Sequence, residues 1–220
     1  MYPSSQQQLS LPVADELWLL SHSETSGRPR LAEDHIALGL AGAVLCELLI
    51  SRSLVLSEHA AHVVVNNQPT QDEVGNWVLR QVLSSRASAP VKLWVQHLAD
   101  EVEPWVTARL DRHGAVVWEK AGLFGRGRRA VPRSINIAAA SRVRLTHQMT
   151  TAQWELNTAT VGALTVAIDL DALIAADIAQ DREAVREPLI TVGRRLPAEL
   201  KAVLNGVRTS ITEVTMSIQR

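Results

Sequence analysis

Residues Ile36–Ser51, IALGLAGAVLCELLIS, are apolar on nearly every side at helical spacing and contain no proline. A helix that is apolar all round has no face for water, so this run reads as the buried centre of a fold. Gly39 and Gly42, with Ala41 and Ala43, give it small positions where a neighbouring helix can come close. Glycine costs about 1 kcal/mol in a helix interior, and close packing offsets that cost. No run of about 18 apolar residues exists, so nothing in the sequence reads as a bilayer span.

The remainder of the chain is organised around that run. With 220 residues and 46% hydrophobic content, one domain with a sizeable core is expected. Residues 1–12 are polar, lack a basic or apolar targeting region, and read as a disordered leader; 13–220 read as a single domain. Ala14–Ser21 is a short helix with Leu17, Trp18 and Leu20 on its apolar side, followed by a turn at Ser26–Pro29. Leu54–Leu56 and His62–Val65 are β-rich, and Gln71–Leu83 is helical. Val91–Arg112 is helical and amphipathic, with Pro104 expected to kink or split it. Gly114 stops that helix in C-cap fashion. Ala115–Trp118 then reads as a strand, answered by a second near Arg129–Val131, and from Ile135 onward the pattern is helix after helix, broken at Pro188 and near Pro197. The expected fold class is mainly α: a single-domain helical bundle around a buried central helix, with short strands and one protruding β-hairpin.

The turn of that hairpin concentrates the chemistry. In Trp118–Arg133, WEKAGLFGRGRRAVPR, the apolar pair Leu123 and Phe124 stands beside Arg126, Arg128, Arg129 and Arg133, with Glu119 the only acid. An apolar tip ringed by guanidinium groups suits an anionic membrane: Leu and Phe enter the acyl boundary while arginines meet phosphate. A solvated basic turn that only aids solubility is the plainer alternative. Because the formal net charge is −1, any anion binding must come from such a local patch rather than from the whole molecule.

Catalytic signatures are not found. The sequence has no glycine-rich phosphate loop between strand and helix, no GxSxG and no HExxH. His59 and His62 lack carboxylates placed to complete a metal site, so no metal is expected. Glu47, inside the apolar run, is either an acid perturbed by burial or a structural carboxylate paired with an arginine or the backbone. The single cysteine, Cys46, excludes a disulfide framework; with no cation beside it, it reads as an inert buried thiol in a reducing compartment. Trp18, Trp94 and Trp105 lie at helical spacing among apolar residues and read as core. No cofactor and no enzymatic activity are expected, and the chain is expected to be cytoplasmic.

Two segments together resemble the Golgi phosphoprotein 3 family, including its prokaryotic members. One runs from Glu16-Leu17-Trp18-Leu19-Leu20 through Gly27 to Gly39-Leu40-Ala41-Gly42-Ala43-Val44-Leu45-Cys46-Glu47-Leu48. The other runs from Trp94 through Leu110, Gly114 and Val116 to Gly122-Leu123-Phe124 and the alternating Arg126 and Arg128. Val161–Ile174 is similar to the family's buried C-terminal helix. The likeness extends from about residue 13 to 218.

That resemblance implies a mostly helical adaptor that binds phosphatidylinositol 4-phosphate at a membrane. Carried over one position at a time, the family's headgroup Trp falls on Ala32 and its first Arg on Ala41. The family's arginine pair falls on Asp100 and Glu103. All four are substituted here, two of them with opposite charge, and a phosphate facing two carboxylates is repelled. The hairpin residues Leu123, Phe124, Arg126, Arg128 and Arg129 therefore carry the expected lipid contact, with anionic lipid as the partner.

Two other functions fit parts of the same pattern. Helix, glycine stop, strand and basic turn also describe a winged helix on DNA. Its recognition helix, however, would present Asp100, Glu101, Glu103 and Asp111, with Arg109, Arg112 and His113 only at its end, so nucleic acid is disfavoured. A protein that docks a partner or a second copy through the Leu-Phe tip is the other alternative. Arg28, Arg30, Arg109 and Arg112 are further candidates for rebuilding a phosphate site.

Overall fold

The computed structural model describes residues 11–57, 63–65, 70–85, 89–120 and 127–218. Helix α1 (Val13–Ser21) leads through a tight turn to α2 (Glu33–Ile50), then to a small antiparallel pair, β1 (Leu54–Leu56) and β2 (Val63–Val65). Helices α3 (Glu73–Ser84), α4 (Val91–Ala99) and α5 (Val102–Arg112) follow. Next comes the hairpin of β3 (Val116–Lys120) and β4 (Arg128–Pro132), then α6 (Ile135–Thr151), α7 (Leu156–Ala167), α8 (Asp171–Asp177), α9 (Arg182–Arg195) and α10 (Ala198–Ile218).

The apolar run is the centre of this bundle, as its sequence demands. From Leu38 to Cys46 every residue of α2 is buried, and α1, α4, α7 and α10 pack around it. Its glycines make the close approach possible. A Cβ at Gly42 would lie 2.4 Å from Val207 Cγ2 on α10, and one at Gly39 would lie 2.9 Å from Ile168 Cγ2. Cys46 is fully buried, and burial pushes its thiol far above the ordinary range, so it is inert. Trp18 and Trp94 are core residues, and Trp105 stacks on Trp77 at the edge of the core.

Three local expectations are revised. The long helix before Gly114 does split, but at Asp100–Glu101, so that Pro104 falls in the first turn of α5. There the missing N–H is one that a helix cannot use anyway. Pro188 does not break α9, which runs through it. Buried Val185, Leu189 and Val192 hold the helix in place, while Ala184, whose carbonyl loses its partner, is exposed to water. Val161–Ile174 is not one helix: α7 and α8 meet at 108°, with Asp169 in the left-handed region at φ +61. No single helix among the described residues is long and apolar enough to cross a membrane, and this bent pair is packed inside the fold.

Candidate membrane-contact site

The hairpin grows out of the body along a gradient of burial. At its base Val116 pairs with Pro132 and Val117 with Val131; Val116, Val131 and Pro132 are buried. Two pairs further out, Glu119 faces Arg129 and Lys120 faces Arg128, and Glu119, Lys120 and Arg128 are exposed. The base is clamped from several sides. Gly114, at φ +68, ends α5, and Arg133 closes the ladder by donating from Nε to the Gly114 carbonyl at 2.7 Å. The Ser26–Pro29 turn presses on β4 so closely that a Cβ at Gly27 would overlap the Ala130 carbonyl oxygen, 1.9 Å away. Only glycine fits there. Trp118 lies 38% exposed on the outer strand and donates from Nε1 to Asp111 at 3.0 Å.

Of the hairpin residues singled out in the sequence, Arg128 and Arg129 sit on β4. Leu123, Phe124 and Arg126 lie outside the described residues. Arg128 is exposed. Arg129 is only half-buried, and its Nε is buried without a hydrogen-bond partner in a cleft shared with Trp18, His22, Glu103 and Trp118. Both arginines line that cleft, Arg128 as the exposed one and Arg129 as the half-buried one.

The four headgroup positions do not converge as a set. Ala32 is the exposed N-cap of α2, whereas Ala41 is wholly buried in the core, where no arginine would fit. Asp100 and Glu103, either side of the α4–α5 break, do line one cleft of about 440 Å³ with the first turn of α2. That turn adds Glu33 and Asp34, two acids the sequence reading passed over. Their adjacency at the start of the apolar run was the available signal. Among the described residues, no cation lines this cleft. Glu103 accepts from His22 Nε2 at 3.2 Å, and this bond holds its carboxyl below the ordinary range. His22 is itself fixed by stacking on Trp18 and by Nδ1 contact with the Trp18 carbonyl at 2.9 Å.

Nor do the remaining candidate arginines rebuild a phosphate site. Arg109 is 2% exposed and forms the clasp of the core. It donates from Nε to Asp15 at 2.7 Å, from one terminal nitrogen to Glu47 and Asp72 at 2.9 Å each, and from the other to Glu47 at 3.1 Å. Glu47 also accepts from the Ala14 N–H at 2.7 Å, and Asp72 caps α3 by accepting from the Gly75 N–H at 2.7 Å. Glu47 is thus a structural carboxylate, paired with both an arginine and the backbone. Burial pushes the Asp15 carboxyl up to about 7 against the opposing pull of Arg109. Arg30 is held by Asp177 through two bonds of 2.8 and 2.9 Å, Arg112 lies 3.0 Å from Glu73, and Arg28 is exposed on its turn. Burial of Arg109 also removes one of the three basic groups that a DNA-reading helix would need at this end.

A family model described as Golgi phosphoprotein 3 (GPP34) matches residues 13–214, nearly the whole chain. No curated protein matches it.

Proposed function

Because the chain belongs to the Golgi phosphoprotein 3 family, we propose that it is a cytoplasmic, non-catalytic peripheral membrane protein that holds anionic lipid through its β3–β4 hairpin. The observation that carries this reading is the burial gradient of the hairpin: a clamped base, and a distal end where Lys120 and Arg128 face solvent. The sequence continues from that end into Leu123, Phe124 and Arg126. Burying a Leu and a Phe in the acyl boundary yields about 3–5 kcal/mol if both enter fully. Each arginine near an anionic leaflet adds about 1 kcal/mol. After the cost of association, the result is weak, salt-sensitive binding.

Headgroup selectivity is a separate matter, and the charge around Asp100 and Glu103 argues against the family's pocket. A phosphate entering there meets Glu33, Asp34, Asp100 and Glu103, with no lining cation among the described residues to offset them. The reading is therefore generic anionic-membrane contact, not selection of phosphatidylinositol 4-phosphate.

Liposome flotation near ~0.1 M salt tests it, because surface charge still acts at that ionic strength. Three vesicle sets are compared: neutral lipid, generic anionic lipid, and charge-matched vesicles carrying phosphatidylinositol 4-phosphate. Equal binding to both anionic sets is expected, with loss when Leu123 and Phe124 are both replaced by Ser. Flotation unchanged by that double substitution sinks the hairpin reading. Binding only to the phosphoinositide set restores the headgroup pocket. No flotation in any set shifts the function to docking a protein partner or a second copy through the same tip.

A further inference from the structure

The acidic cleft has a counterpart of opposite sign elsewhere in the bundle. Between α7, α9 and α10 lies a cleft of about 540 Å³, within the usual range for small-molecule sites. Four cationic side chains line it: Arg186 and Arg194 from α9, and Lys201 and Arg208 from α10. Among the described residues no carboxylate does, in a protein whose net charge is −1. Its floor is apolar, formed in part by Ala163, Leu189 and Leu204.

The four cations are not equivalent. Arg186 is already held, donating to Asp171 at 2.9 Å. Arg194, Lys201 and Arg208 are exposed, and none has an ion-pair partner among the described residues. This contrasts with Arg30, Arg109, Arg142, Arg144 and Arg182, each of which meets a carboxylate. Arg194 has a structural reason to be cationic, since it stands in the last turn of α9 and complements the helix dipole. Lys201 has the opposite setting. It stands at the start of α10, the end of a helix where a cation is disfavoured. Asn205, one turn along α10 from Lys201, adds an amide that can donate beside them.

We infer that this cleft binds a phosphate-bearing ligand, its anionic group held by Arg194, Lys201 and Arg208 and its less polar part lying on Ala163, Leu189 and Leu204. Guanidinium and ammonium donors give charge-assisted bonds to phosphate oxygens, and the concave apolar floor strengthens them by excluding water. The phosphate group can belong to a soluble phosphomonoester or to a lipid headgroup. The site is independent of the hairpin reading and survives its failure.

The experiment uses the full chain and two sets of probes. Inorganic phosphate and glycerol 3-phosphate are titrated calorimetrically, and flotation is measured on phosphatidylcholine vesicles containing phosphatidic acid. The triple variant R194Q/K201Q/R208Q is compared with the natural chain and with L123S/F124S. Removing three charge-assisted contacts is expected to weaken phosphate binding about tenfold or more, while the hairpin variant binds soluble phosphate unchanged. Binding of the soluble probes, lost only in the triple variant, identifies a free phosphomonoester site. Flotation kept by L123S/F124S but lost in the triple variant identifies a lipid headgroup site. Unaltered binding in a triple variant whose urea midpoint matches the natural chain overturns the inference. So does failure of the natural chain to bind any of these probes.

Discussion

Arg109 on α5 is ringed by Asp15, Glu47 and Asp72, whereas Arg208 on α10 lines a cleft that contains no carboxylate. Both are arginines on helices of one small bundle, and composition cannot tell them apart. Their surroundings do. Arg109 ties α1, α2 and the cap of α3 to α5, so its charge is consumed by the fold. Arg208 has no such obligation, and its charge remains available to a ligand. The sign of the surface even changes along α10 itself, since Ser210 and Val214, just beyond Arg208, line the acidic cleft with Glu33, Asp34, Asp100 and Glu103. A net charge near zero thus hides two clefts of opposite sign and one buried, fully engaged cation.

The sharpest way to break this contrast is to remove the engaged cation. Arg109→Met leaves Asp15, Glu47 and Asp72 facing one another without compensation. Breaking a buried pair in this way costs about 3–5 kcal/mol, read as a lowered urea midpoint. Arg109→Lys should fall between, because a single ammonium cannot reproduce the fork that meets three carboxylates. A midpoint untouched by Arg109→Met would mean that the three acids are solvated or neutral and that the clasp contributes nothing.

The same cluster has a pH signature. Burial pushes both Asp15 and Glu16 up to about 7, from ordinary values of 3.8 and 4.5. Arg109 pulls Asp15 down, and Arg144 does the same for Glu16, but in each case burial outweighs the cation. Between about pH 4 and 7 the folded state therefore binds protons that the unfolded chain has released. Stability is greatest toward the acid end of that window, falls by several kcal/mol as pH rises to 7, and levels off above it. Urea midpoints between pH 5 and 8 measure this, and Asp15→Asn should flatten the slope while retaining an acceptor for Arg109. A midpoint that stays level with pH over that range would place both groups in the ionised state throughout.

How legible this was in the sequence follows the same division between local and long-range physics. The buried run of α2 announced itself because an all-apolar, proline-free helix has one solution, and Gly114 because a glycine after an amphipathic run is a stop signal. The hairpin ladder followed from its flanking strands. Pro188 misled because the outcome depends on which face carries the orphaned Ala184 carbonyl, and that is decided by how α9 packs on α7. The bend at Asp169 was hidden inside an apolar stretch with no proline or glycine at the break. At the candidate sites, Glu47 was readable as a paired acid, but its partner Arg109 lies 62 residues away. The basic cleft takes its cations from α9 and α10 and part of its apolar floor from α7, and other charged residues separate those cations in sequence, so no window of the chain displays it.

The smallest effect is also the one that separates the two kinds of arginine most cleanly. Arg194→Gln and Arg208→Gln keep most of the side-chain stem, which covers apolar surface, and remove only the charge. With no carboxylate in their cleft to leave stranded, each should change unfolding free energy by no more than about 0.5 kcal/mol, as ordinary surface substitutions do. For Arg194 the loss of a favourable dipole contact accounts for a few tenths of that. A cost approaching that of Arg109→Met would show that these cations are held by the fold and are not available to a ligand. Near-neutral stability leaves anion binding as the property that these residues change.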